Sequence, residues 1–251
     1  PVRVTKQADG KVTIEPGPVR LTYNTVAFQP QGLVELIEGS CDKRVYRPLT
    51  TPFSPGANIA LFDERGGLFL CTSWGREPVE LRIEQSGPVR ACVRVSGWHE
   101  AADGRRMFRY IARIHAWRGQ PWIRVLYTFM NDQQDGLMAR IRNVEAYFDC
   151  VGRDYICILN GKPVCAQGGR LLQIDEQHCQ IDSKPGGAHG CGWAAVGFDN
   201  KGLAVGLRDF WQNWPKGLVA RGNGLSVEVC PPFAKGLYDG RPLVEDAKLY
   251  Y

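Results

Sequence analysis

Apolar and polar residues alternate along much of the chain, and this period of two is typical of β-strands that bury one face. The alternation is regular over residues 89–96, 108–117 and 122–129. Segments rich in Gly, Pro and Asp separate these runs, for example Arg118-Gly119-Gln120-Pro121, and such segments form turns. Successive strands joined by short turns predict antiparallel hairpins.

Weaker runs of the same kind predict seven further strands. They lie at residues 11–15, 20–24, 67–71, 155–159, 194–198, 203–207 and 225–230. Turn-forming residues 199–202 separate two of these runs and predict another hairpin. Residues 137–150 fit both a helical stripe and a strand, and we favour a strand because the neighbouring segments are all β. With no long helix predicted, the fold class is all-β, a large antiparallel, supersandwich-like β-sandwich.

The composition of the 251 residues is that of a globular protein, with 44% hydrophobic and 23% charged residues. It excludes collagen, coiled coils and disordered chains. No apolar stretch approaches the roughly 18 residues of a membrane span, so we expect no membrane partner. The chain begins Pro-Val-Arg and ends on a strand-like run at residues 248–251. We therefore expect both ends to be cut from a longer protein, and the sequence assigns no compartment.

The net charge of +5 permits an anionic partner. Lys and Arg are scattered singly or in pairs, whereas nucleic-acid binders usually carry a concentrated basic stripe, so we expect no nucleic acid. Nine cysteines, an odd number in a long chain, do not form a disulfide framework. Cys92, Cys157 and Cys230 fall inside strand-like runs and are predicted to be small buried hydrophobes.

Four stretches of the chain resemble, in their order and spacing, the exo-rhamnogalacturonan lyase family of PcRGLX- and YetA-like proteins. They are residues 14–20, 86–95, 113–125 and 209–218. The resemblance implies an N-terminal RIFT-barrel-like β domain, a central β-sandwich and a C-terminal α/α toroid. With a boundary expected in the polar, Pro-rich residues 38–55, residues 1–40 would end the barrel-like domain and residues 41–251 would form the sandwich. The toroid would be a further domain of the same protein.

The activity implied by the resemblance is β-elimination on rhamnogalacturonan or another acidic pectic polysaccharide. The enzyme must remove the C5 proton of a galacturonate residue, and a cation must neutralise the sugar carboxylate while charge develops. A base takes the proton, and an aromatic side chain can support the sugar ring. We therefore searched for a cation, a base and aromatic residues close together, and we expect neither a metal nor another cofactor.

The richest segment is residues 208–216, which follows an apolar strand. Arg208 and Lys216 are predicted to neutralise the carboxylate. The predicted sugar contacts are Trp211, Gln212 and Trp214. The alternative interpretation is that both tryptophans are core residues beneath an ordinary loop.

His189 lies in the glycine-rich segment 186–192 and is the predicted base, because histidine titrates near neutral pH and glycine permits close approach to a ligand. The alternative interpretation is that His189 is an ordinary solvated loop residue. A zinc site made of His178, Cys179, His189 and Cys191 is a weaker alternative, since their spacing matches no zinc finger. We expect His115 to be packed with a hydrogen-bond partner, and His99, which precedes a turn, to be exposed.

Five arginines form a possible basic sheet face that would attract an acidic polysaccharide, although a solvated strand face has the same pattern. They are Arg90, Arg94, Arg109, Arg113 and Arg124. Asp132 and Asp135 are interpreted as turn residues, and a Ca²⁺ site is a weaker alternative, since the loop spacing of an EF-hand is absent. Two alternatives to the lyase remain open: a non-catalytic carbohydrate-binding or domain-packing β-sandwich, and a purely structural β domain.

Overall fold

The computed structural model describes residues 1–24, 34–41, 45–50, 57–71, 79–132, 141–151, 155–164, 168–198 and 201–232. These residues form strands and connecting segments without any helix, which confirms the all-β prediction. The described residues therefore contain no apolar helix that is long enough to cross a membrane. Some residues named in the predictions lie outside the described ranges. They are Asp135, residues 137–140 of the ambiguous segment, residues 199–200 of the predicted hairpin turn, and the closing run 248–251.

The N-terminal sheet has five antiparallel strands that neighbour one another in chain order. They are β1 (Arg3–Lys6), β2 (Val12–Glu15), β3 (Val19–Tyr23), β4 (Leu36–Gly39) and β5 (Arg47–Pro48). Alternation places Ile14 and Leu21 on the buried side of the sheet, where both are fully enclosed. The sheet continues to Pro48, and the division into domains at residue 40 stays a prediction.

The large sheet contains twelve strands within the described part of the chain. They are β6 (Ala57–Asp63), β7 (Leu68–Leu70), β8 (Glu80–Ser86), β9 (Arg90–Glu100), β10 (Arg106–Trp117), β11 (Ile123–Met130), β12 (Ile141–Asp149), β15 (Gly169–Gln173), β16 (Cys179–Ile181), β17 (Lys184–Gly187), β20 (Lys216–Arg221) and β21 (Gly224–Cys230). Their order is β11-β10-β9-β7-β6-β12-β21-β20-β15-β16-β17, and β8 pairs with β9 outside this path. All of the pairings are antiparallel.

A smaller four-stranded sheet forms a second layer over one part of the large sheet. Its strands are β13 (Ile156–Leu159), β14 (Lys162–Val164), β18 (Trp193–Phe198) and β19 (Lys201–Gly206), in the order β14-β13-β18-β19. Strands β13 and β18 contact β15, β20 and β21. Leu159 and Val196 from one layer and Leu171 and Leu218 from the other are fully buried in the shared core. Two stacked sheets make the predicted β-sandwich.

The seven weaker strand predictions correspond to β2, β3, β7, β13, β18, β19 and β21, and the ambiguous segment 137–150 contains strand β12. Strands β18 and β19 form the predicted hairpin, with Phe198 opposite Lys201. Ten of the described strands were not predicted. Two of these, β6 and β20, lie inside the large sheet. Each is enclosed on both faces over most of its length, so their sequences lack the alternation on which the prediction depends.

Candidate functional site

Two connecting segments meet at the end of the β18–β19 hairpin. The first, the His189 loop (residues 186–192), joins β17 to β18, and the second, the Trp211 turn (residues 208–215), joins β19 to β20. The His189 and Trp211 rings stack with their centroids 3.9 Å apart and their planes at 18°. The backbone N–H of Leu207 donates to the Gly192 carbonyl at 2.9 Å. The structure thus brings together the predicted base and one of the predicted sugar contacts.

A buried glutamine anchors the His189 loop. Gln173 ends strand β15 and is fully enclosed. Its Nε2 donates to the carbonyl of Ala188 at 2.8 Å, and its Oε1 accepts from the N–H of Gly190 at 2.8 Å. One amide therefore fixes the backbone on both sides of His189. Sequence reasoning missed Gln173, although a lone amide at the end of the apolar run Leu171–Leu172 is a usable signal, because buried polar groups need partners.

Two glycines of the His189 loop, Gly190 and Gly192, are required by packing against Phe210, which is buried. A Cβ atom at Gly190 would lie 2.8 Å from Phe210 Cε1, and one at Gly192 would lie 2.7 Å from Phe210 Cβ. Gly192 also has a φ of +70°, in the left-handed region that favours glycine. The glycine-rich sequence thus allows the loop to pack closely on the Trp211 turn, and close approach of a ligand to the loop stays a prediction.

Lys216 begins strand β20 opposite Gln173 of β15. Paired residues of neighbouring strands share one face of a sheet, so the Lys216 side chain lies on the same face as the amide that holds the His189 loop. Lys216 is half-buried, and this burial lowers the pKa of its ammonium group, an effect that the nearby Cys230 thiol opposes. Its Nζ donates to the Pro215 carbonyl at 3.0 Å. A lowered pKa means that the ammonium group releases its proton more readily than that of an exposed lysine.

Arg208 points into solvent, with 83% of its side chain exposed. Its Nε lies 3.2 Å from Oδ2 of Asp209, so the neighbouring carboxylate offsets its charge. Asp209 has a φ of 52°, a left-handed conformation that Asp tolerates better than most residues. This ion pair weakens the case for Arg208 as the group that neutralises a substrate carboxylate.

Gln212 is exposed, whereas Trp211 and Trp214 are both half-buried. Trp211 packs against the core with one side and contacts His189. A cis peptide bond joins Trp214 to Pro215. Neither indole is fully enclosed. Both tryptophans are thus intermediate between the two predicted alternatives, a core residue and an exposed sugar contact.

The four side chains of the alternative zinc site do not converge. His178 contacts Asp175, with Nδ1 2.8 Å from Oδ2, and His189 stacks on Trp211. Within the described residues, no group of three or more His, Cys, Asp or Glu side chains is arranged to hold a metal ion.

The prediction that His99 is exposed is wrong. Its side chain is fully buried, with Nδ1 2.8 Å from the Phe108 carbonyl and Nε2 hydrogen-bonded to the Tyr127 hydroxyl. Burial lowers the pKa of His99 to about 4. Strand β9 continues to Glu100, and alternation therefore places His99 on the same inward face as Val93 and Val95.

His115 is packed, as predicted, and accepts a hydrogen bond at Nδ1 from Arg90 Nη2 at 2.7 Å. Strand β8 brings two carboxylates onto the predicted basic face. Glu84 Oε2 lies 2.9 Å from Arg113 Nε, and Glu80 Oε2 lies 3.9 Å from Arg94 Nη2. Only part of that face is therefore left with uncompensated positive charge.

Comparison with known families identifies one segment of the chain. Residues 75–142 match the model described as the PcRGLX-like protein central beta sandwich domain. The match confirms the predicted resemblance to the PcRGLX-like family. It spans strands β8 to β11, which form one end of the large sheet. A search of curated proteins found no match to the chain.

Proposed function

We propose that this chain is the β portion of a PcRGLX-like lyase that acts on rhamnogalacturonan or a related acidic pectic polysaccharide by β-elimination. The family match over residues 75–142 is the observation that carries the proposal. Three candidate residues lie in one region. The exposed His189 supplies a base, Trp211 beside it supplies an aromatic surface, and Lys216, on the sheet face that carries Gln173, supplies a cation.

In the proposed reaction His189 takes the C5 proton of a galacturonate residue. The C–H electron pair forms the C4–C5 double bond, and the bond from C4 to the glycosidic oxygen breaks, so that this oxygen leaves with the rest of the chain and gains a proton. Lys216 and Arg208 would neutralise the carboxylate as charge develops. Trp211, Gln212 and Trp214 would contact the sugar rings. Each proposed cation acts against an opposing effect, since Asp209 offsets the charge of Arg208 and burial disfavours the charged form of Lys216.

We propose that a C-terminal α/α toroid of the same protein faces this region and completes the cleft. The β portion offers its candidate residues on connecting segments, and sites built on connecting segments are commonly completed by a neighbouring unit.

A non-catalytic carbohydrate-binding or domain-packing sandwich is the second candidate function. It is favoured by the stack itself, because His189 covers one face of the Trp211 indole with ring centroids 3.9 Å apart. That face is closed to a sugar unless the histidine moves.

Incubation with rhamnogalacturonan distinguishes the two functions, since elimination creates a C4–C5 double bond that absorbs in the ultraviolet. The assay is run on this chain and on a longer protein that also contains the proposed α/α toroid. An absorbance rise that His189→Gln reduces at least about 100-fold supports the lyase, with the exposed His178→Gln as the matched control. Glycan binding without an absorbance rise, weakened by Trp211→Ala, supports the binding module, and absence of both contradicts the proposal.

A further inference from the structure

A second cluster of aromatic and cationic side chains lies at the opposite part of the large sheet, where β9, β10 and β11 meet. We call it the Trp122 corner, and its members are Arg90, His115, Trp117, Trp122 and Arg124. In the sheet order, strands β7, β6, β12 and β21 lie between β9 and the β20 strand that carries Lys216.

The sheet register places these side chains on one face. Trp117 is the cross-strand partner of Arg90, and His115 is the partner of both Cys92 and Arg124. Since alternate residues of a strand share a face, Arg124 of β11 projects to the same side as His115 and Trp117 of β10. Trp122, which directly precedes β11, is placed there by its contact with Trp117.

The two tryptophans form an exposed aromatic surface. Their rings lie with centroids 4.7 Å apart and planes at 42°, and Trp122 is 50% exposed. Its Nε1 donates to Gln120 Oε1 at 3.1 Å, which orients the indole. Arg90 Cζ lies 5.8 Å from the centroid of the Trp117 ring. An exposed indole held in place by a neighbour can bind a flat, partly apolar ring at a small cost in conformational entropy.

The positive charge of the corner is not compensated. Within the described part of the chain, neither Arg90 nor Arg124 has a carboxylate within 4.0 Å, whereas Arg94, Arg109 and Arg113 each have one. Arg90 Nη2 donates to His115 Nδ1, so the neutral imidazole keeps its proton on Nε2. Arg90 Nε is buried without a partner. These two arginines therefore offer an anionic group positive charge that no described carboxylate pairs with, Arg124 from an exposed position and Arg90 from a half-buried one.

We infer that the Trp122 corner binds an acidic sugar, a uronate residue of an oligosaccharide, with its ring on Trp122 and its carboxylate held by Arg124 and Arg90. A uronate matches both features, because its C–H faces are apolar and its carboxylate is the preferred planar partner of a guanidinium group. The choice of a uronate over other anions rests on the proposed function. The corner would hold the polysaccharide at a distance from the His189 loop and would take no part in the chemistry.

Calorimetric titration of the chain with an oligogalacturonide at low salt tests the inference. We expect Arg124→Gln and Trp122→Ala each to weaken the affinity about tenfold, which is the loss of one hydrogen bond to a charged group or one stacking contact. The matched control is Arg113→Gln, because Arg113 lies on the same face and is already paired with Glu84. It should change the affinity less than about twofold. Because Arg124 is exposed, its variant tests the corner even if Trp122→Ala alters the local fold.

Several outcomes overturn the inference: no binding by the unsubstituted chain, equal affinity for a neutral galactan oligosaccharide, or tighter binding of DNA with the same dependence on Arg124. Binding that Trp211→Ala removes and that both corner variants leave unchanged also overturns it, and leaves the proposed function standing. Conversely, absence of elimination by the longer protein contradicts the lyase without affecting a corner whose variants still lose affinity.

Discussion

The imidazole of His189 lies flat on the indole of Trp211, with 3.9 Å between ring centroids. The two residues belong to segments on either side of the β18–β19 hairpin, so this single contact joins the His189 loop to the Trp211 turn. It makes the position of the proposed base depend on a residue proposed to contact the sugar. Substitutions at the two sites should therefore not be independent.

We expect a double-mutant cycle of His189→Ala and Trp211→Ala to give a coupling free energy of about 1 kcal/mol, the usual worth of an aromatic pair beyond the area that it buries. Urea denaturation of the four proteins measures it. His178→Ala is the matched control, because His178 pairs with Asp175, and its effect should add to that of Trp211→Ala within about 0.5 kcal/mol. Full additivity at His189 would contradict a stabilising stack.

Gln173→Ala should destabilise the protein by about 3 kcal/mol, because it leaves the buried Gly190 N–H without its acceptor and removes the donor to the Asp175 and Ala188 carbonyls. The free energy of unfolding in urea measures the loss. Gln212→Ala provides the control, since Gln212 is exposed and should change stability by less than about 0.5 kcal/mol. Amide hydrogen exchange at Gly190 should also accelerate by more than the loss of global stability explains. An unchanged exchange rate would mean that Gln173 does not hold the His189 loop in place.

The strands that could be predicted from the sequence are those with one buried face. Strand β10 alternates visibly because Tyr110 and Ile114 point inward while Arg109 and Arg113 face outward. Strand β6 shows no such alternation because residues on both of its faces are enclosed. The hydrophobic pattern is informative where one face of a strand is buried, and it fails both where two faces are enclosed, as in β6, and where most residues are exposed, as in β8.

The site was only partly predictable, because its geometry depends on contacts between distant segments. The sequence marks His189 and Trp211 as unusual residues but contains no signal that their rings stack. The sequence also gives no indication that Arg113 pairs with Glu84, a residue of strand β8. His99 was assigned wrongly because the prediction ended its strand at residue 96, four residues before the end of β9. A strand boundary decides whether a histidine faces water or the core.

Gly217→Ala should destabilise the protein by about 2 kcal/mol, because a Cβ atom there would overlap the carboxylate of Glu228 on the neighbouring strand. Glu228 is buried and has little room to move, since its Oε2 accepts from Arg170 Nε at 2.8 Å. Thermal unfolding measures the change. The control is Gly206→Ala in another strand, where the nearest atom would lie 3.8 Å away. A Gly217 variant as stable as the Gly206 variant would mean that the carboxylate can move aside.

Buried His99 should make the protein less stable in mild acid. Its pKa is lowered to about 4 in the folded protein and is near 6.5 in an unfolded chain, so the unfolded state binds the proton more readily. The stability that the neutral imidazole allows is present above about pH 6.5 and is lost progressively as the pH falls towards 4. The loss attributable to this one residue is about 3 kcal/mol.

The difference in unfolding free energy between the native protein and His99→Gln isolates this effect, because the carboxylates titrate in both proteins. Glutamine can still donate to the Phe108 carbonyl and accept from the Tyr127 hydroxyl, but it cannot be protonated. The native protein should therefore lose more stability than the variant between pH 7 and pH 4, whatever constant offset the substitution introduces. Parallel profiles for the native protein and His99→Gln would mean that the imidazole does not resist protonation in the core.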